Sequence, residues 1–124
     1  MREIIKTLVR DSILGYIQGK TNDTIIGDVL IDWHGEFGSL SESAVCITKR
    51  RPDGRFAESD GVFIILEPYI TKMKYNRWFE YLLTDITCEV MDRLDPESIN
   101  IDTFIEHLTK QVFDITKIKD EDYD

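Results

Sequence analysis

Apolar residues recur at three- and four-residue steps over residues 2–18, where Ile5, Leu8, Val9, Ile13, Tyr16 and Ile17 form one stripe. That period predicts an amphipathic helix, and Gly19 stands where a left-handed C-terminal cap is expected. From Thr24 to His34 the pattern changes to strict alternation. Ile25, Val29, Ile31 and Trp33 point one way; Ile26, Asp28, Leu30, Asp32 and His34 point the other. This reads as one strand with an apolar face and a mixed face. Residues 35–43 read as a loop, and residues 44–50 alternate again as a second strand.

The stretch Arg51-Pro52-Asp53-Gly54-Arg55 predicts a tight turn. Pro52 presets φ at the second turn position, Asp53 can bond nearby backbone, and Gly54 accepts positive φ. The chain then returns through residues 55–58, is interrupted at Ser59-Asp60-Gly61, which reads as a bulge, and resumes as Val62–Leu66. That continuous apolar run predicts a central strand buried on both faces. Pro68 ends it. A long helical stripe follows over residues 72–94, stopped by Asp95-Pro96. A last helix is expected over residues 102–116, where Thr103 and Glu106 fit a capping box. The predicted fold is α+β: an N-terminal helix, a three-stranded antiparallel meander with a long hairpin, and two C-terminal helices packed on one sheet face. Residues 1–119 are expected to form one domain, and residues 120–124 an acidic frayed tail.

Charge changes the picture more than composition does. The chain of 124 residues carries a formal net charge of -9. Residues 1–78 hold eleven acidic and eleven basic side chains, whereas residues 79–124 hold thirteen acidic and four basic. All the excess negative charge therefore lies in the C-terminal helical part. Against that background Lys49, Arg50, Arg51 and Arg55 crowd around the predicted hairpin tip. A tip solvates like charges easily, and forked guanidinium groups there suit an acidic patch on a protein. Nucleic acid is a poor partner for so acidic a chain. On the helix over 72–94, Asp85, Glu89 and Asp92 share one face at steps of four and three. Such a row suits a partner with a basic surface, although every amphipathic helix also needs a solvated face.

Candidate chemistry is sparse. Asp28, Asp32 and His34 alternate on one strand face with Glu36 just beyond, a metal or general-base arrangement that lacks a clear third or fourth ligand. A solvated polar sheet face explains the same residues. Ser39, Ser41 and Ser43 come with no nucleophile elbow, and no glycine-rich phosphate cradle is present. Cys46 and Cys88 sit in apolar patterns and read as buried free thiols. Trp33, Phe37, Phe56 and Tyr69 fall at strand ends or in loops, where core packing is the plain reading and Phe56 beside Arg55 the candidate interface pair.

No catalytic residue, cofactor or membrane segment is expected, and a cytosolic location follows by elimination. The functional expectation is a small non-enzymatic protein that inhibits or adapts another macromolecule, in the manner of immunity proteins or phage-encoded inhibitors. It would bind through Lys49, Arg50, Arg51, Arg55, Phe56, Asp85, Glu89 and Asp92, with self-association open at the arginine tip. Two other classes stand beside it: a metal-dependent enzyme centred on Asp28, Asp32, His34 and Glu36, and a structural subunit of a larger assembly.

Overall fold

The computed structural model describes residues 1–20, 22–35, 43–72 and 77–99. The helix expected over 102–116, the acidic tail, and Glu36 and Phe37 lie outside the described residues. Helix α1 (Arg2–Ile17) follows the predicted stripe, and burial falls on Ile5, Leu8, Val9, Ile13 and Tyr16. Gly19 follows it at φ 69°, as the cap reading requires.

Four strands make an antiparallel meander in the order β1-β2-β3-β4: β1 (Asp23–Ile26), β2 (Val29–His34), β3 (Ala44–Lys49) and β4 (Val62–Ile65). The α+β class and the meander hold, but the single strand read over 24–34 is a hairpin. Gly27 adopts φ 57° in a two-residue turn with Asp28, so Ile26 lies directly opposite Val29. The turn shifts the alternation: Ile26, rather than Ile25, joins Val29, Ile31 and Trp33 on the core face, and Ile25 is left exposed. A side chain at position 27 would also collide with Ser98 Oγ and come within 2.8 Å of Leu94 Cδ1. Glycine is required there twice over.

Strand β4 departs from expectation too. Among the described residues it is an edge strand, with Val62 and Ile64 toward the core and Phe63 and Ile65 about half exposed on the other face. A run of five apolar residues, Val62 to Leu66, does not reveal on its own whether both of its faces are covered.

Among the described residues the helical pattern read over 72–94 is carried by α3 (Arg77–Arg93), and a short helix that the pattern does not foretell, α2 (Glu67–Lys72), precedes it. Pro68 stands in the first turn of α2, where its missing N–H costs nothing. Helices α1 and α3 pack against each other and over one sheet face. The core between them is built from Ile5, Val9 and Ile13 of α1, Ile31, Val45 and Ile47 of the sheet, and Leu83, Ile86 and Val90 of α3. Trp33 stacks on Tyr16 with ring centroids 4.5 Å apart, and its indole N–H donates to the buried Ser12 hydroxyl at 3.0 Å. It is core, not surface. No described helix is long and apolar enough to cross a membrane.

Candidate functional site

Because both long helices cover one face of the sheet, its second face carries the mixed positions of each strand. The register sets Asp32 beside Cys46 and Phe63, and His34 beside Ala44 and Ile65. Ala44 and Cys46 are small, so the His34 ring reaches across β3 to the Phe63 ring, 5.6 Å between centroids. The segment before β4 then folds back over this face. Its interruption is a single 3₁₀ turn, Glu58–Asp60, rather than a bulge. Gly61 lets that turn lie close: a Cβ there would come within 2.5 Å of Cys46 Sγ and 2.6 Å of Thr48 Oγ1. The turn brings Glu58 onto His34. His34 Nε2 stands 3.1 Å from Asp32 Oδ2 and 3.2 Å from Glu58 Oε1.

Of the residues the sequence proposes for a metal or acid–base centre, the fold therefore joins Asp32 and His34, and adds Glu58. Asp28 belongs elsewhere. The β1–β2 turn carries it to the end of α3, where its carboxylate accepts from the Asp95 N–H at 3.0 Å and pairs with Lys49 Nζ at 3.1 Å. Burial pushes its pKa up, but the Asp95 hydrogen bond and the Lys49 ammonium outweigh this and hold it below the ordinary carboxylate range. A depressed carboxylate stabilises the fold above its unfolded pKa of about 3.9, and that contribution fades as pH falls through its lower folded value. Asp28→Ala is expected to cost ~1–3 kcal/mol at neutral pH, with the deficit shrinking below about pH 4. Urea denaturation of both proteins between pH 3 and 7 checks it; a deficit independent of pH would overturn it.

The basic cluster is less free than its position implies. Lys49 lies back from the tip and donates to the Arg93 carbonyl at the end of α3, 2.7 Å away. The turn forms as read: Gly54 adopts φ 90°, its N–H donates to the Arg51 carbonyl, and Asp53 Oδ1 accepts from the Arg55 N–H. Arg50 lies over the Phe56 ring at 4.6 Å and donates to the Gly54 carbonyl, so Phe56 pairs with Arg50 rather than Arg55. Arg51 grips Asp60 through two hydrogen bonds of 2.6 and 3.1 Å. That pairing lowers the Asp60 pKa and ties the hairpin to the 3₁₀ turn. Among the described residues the Arg55 guanidinium alone of the four basic groups makes no such contact.

On α3 the acidic trio divides. Glu89 is paired with Arg93, and the Tyr69 hydroxyl donates to Asp85 at 2.5 Å. Burial, then Asp85, drives the Tyr69 pKa upward, so its phenol stays protonated. Asp92 is exposed. Tyr81 stands on the same line of the helix, four residues before Asp85, and is half exposed. Cys88 is half-buried on that line with Arg2 Nη2 3.7 Å from its sulfur, rather than buried as expected. Cys46 is buried, and burial raises its thiol pKa, which leaves it a weak nucleophile.

Neither protein-family models, curated proteins nor solved structures give a match to this chain. Two residues of these surfaces, Glu58 and Tyr81, are not among those the sequence pattern singles out. Glu58 is far from His34 along the chain and adjacent only once the hairpin closes. Tyr81 carries a legible signal, since it precedes Asp85 by one helical turn on the polar side.

Proposed function

We propose that this is a non-enzymatic binding protein whose exposed α3 face engages a basic surface on another protein. The observation that carries the reading is the line Tyr81, Asp85 and Asp92: an exposed aromatic set among carboxylates on the outer side of a helix whose inner side is locked into the core. Tyrosine supplies large contact area at low entropic cost and is enriched at interface centres. Carboxylates around it speed the approach of a cationic partner and disfavour acidic ones. The charge segregation of the chain supports the same reading, since the excess negative charge falls in residues 79–124. Arg55 is the group left for a second contact at the hairpin tip, because Arg50 and Arg51 are held internally.

An affinity capture from cell lysate, followed by association kinetics with the captured protein, tests this. Asp92→Asn is expected to leave stability within ~0.5 kcal/mol, whereas Asp85→Asn also weakens the Tyr69 hydrogen bond and is expected to cost about 1 kcal/mol. The same pair should slow association roughly tenfold at low salt and flatten its salt dependence. Tyr81→Ala should raise the dissociation rate, at a cost of ~2 kcal/mol in affinity. Binding indifferent to all three changes would reduce this face to a solvated helix surface.

A further inference from the structure

We infer that Asp32, His34 and Glu58 form a binding site for a divalent transition-metal ion of the zinc class. The three side chains come from β2 and from the 3₁₀ turn that folds over the second sheet face, and one donor atom from each lies within 4.8 Å of the others. Two edges of this triangle, His34–Asp32 at 3.1 Å and His34–Glu58 at 3.2 Å, have the length that ligands on one small cation adopt. Zinc–ligand bonds of about 2.0–2.1 Å in a tetrahedral arrangement put neighbouring donors about 3.3 Å apart.

The polar accounting supports the same occupant. His34 Nε2 is shielded from solvent yet has no hydrogen-bond partner of acceptable geometry, although two carboxylate oxygens stand near it. One ring nitrogen carries one proton and cannot direct it at both. The two carboxylates also face each other, and Asp23 lies directly across from Asp32 on the neighbouring strand. No described lysine or arginine forms an ion pair with Asp32 or Glu58, and the nearby Arg51 is committed to Asp60. An imidazole nitrogen and two carboxylate oxygens that converge on one point make a donor set that a divalent cation can occupy.

The donor set indicates which one. A single imidazole with two carboxylates suits zinc, cobalt or iron better than calcium or magnesium, which prefer all-oxygen shells. Three protein ligands leave a coordination position open, as in zinc sites that bind water or an exchangeable anion. Phe63, half exposed against the His34 ring, stands at its margin. Closing the triangle would also clamp the 3₁₀ turn onto β2, so metal binding stabilises the fold directly.

The full chain, stripped with chelator and titrated with Zn²⁺, Co²⁺ and Mg²⁺, tests the inference. Saturating Zn²⁺ is expected to raise the melting temperature by roughly 5–10 °C, and Mg²⁺ to do nothing. His34→Gln and Glu58→Gln should each abolish the rise and weaken Zn²⁺ binding measured by calorimetry at least tenfold. Asp60→Asn, in the same 3₁₀ turn but held by Arg51, should keep both. Bound Co²⁺ should show visible d–d bands without a thiolate charge-transfer band, which separates this site from Cys46 and Cys88. Should His34→Gln fold poorly, Glu58→Gln decides, because Glu58 is largely exposed. No Zn²⁺ response, a response that survives Glu58→Gln, or a thiolate band would overturn the site. A response to Mg²⁺ equal to that to Zn²⁺ would overturn the assignment of metal class.

Discussion

Trp33→Ala is expected to destabilise the protein by ~3–5 kcal/mol, a large loss for one side chain. Trp33 is 4% exposed, stacks nearly parallel on Tyr16, and gives its indole proton to Ser12, itself buried. Truncation removes an aromatic pair, opens a cavity between α1 and β2, and strands a buried hydroxyl. The same residue sits between Asp32 and His34 in sequence and points the opposite way, so its burial fixes the direction of both. Trp33→Phe separates the contributions. It keeps part of the stacking but not the donor, and a loss of ~1–2 kcal/mol is expected. Urea denaturation followed by circular dichroism measures both. A loss below about 1 kcal/mol for Trp33→Ala would mean that the α1–β2 contact contributes little to holding the fold together.

Gly61→Val is the second. Its expected effect joins stability to the site. Backbone strain is not the cause, because Gly61 has φ -90°, ordinary for any residue. Space is the cause. A Cβ would lie 2.5 Å from Cys46 Sγ and 2.6 Å from Thr48 Oγ1, and the Ile47 carbonyl is 3.2 Å away. Cys46 and Thr48 are both buried, so neither can swing into solvent. The 3₁₀ turn must lift from the sheet instead. A cost of ~1–3 kcal/mol is expected, typical of overpacking. Lifting the turn also carries Glu58 away from His34, so the Zn²⁺-induced rise in melting temperature should fall by more than half although all three ligand side chains remain. A variant that loses stability and keeps the full Zn²⁺ response would show that Glu58 is placed by something other than this close packing.

Both substitutions mark how differently the parts of this molecule can be read. The α1 stripe and its Gly19 cap follow from local periodicity, as does the Arg51–Gly54 turn, where Pro52 and Gly54 have conformational requirements that no distant contact alters. The outward line of α3 is equally local. The β1–β2 hairpin is hidden because Gly27-Asp28 falls inside an alternating run, and a two-residue turn preserves the look of alternation while reversing the chain. Reading through that turn exchanges Ile25 for Ile26 on the core face and leaves Asp28 in a cluster to which it does not belong. The edge position of β4 is hidden for another reason: Val62, Phe63, Ile64 and Ile65 are apolar on both faces whichever neighbour they have.

The sequence by itself determined the α+β class, the helix faces, the hairpin tip and the segregation of charge, because each depends on residues within a few positions of one another. Tertiary structure alone decided which charges are free. Arg51 meets Asp60, Lys49 meets Asp28 and the end of α3, and Glu58 meets His34 only after the hairpin has folded back across the sheet. Those partners lie on different strands and turns. The electrostatic energy of a charge depends on what stands within a few ångströms of it in space, and the order of residues along the chain does not supply that distance.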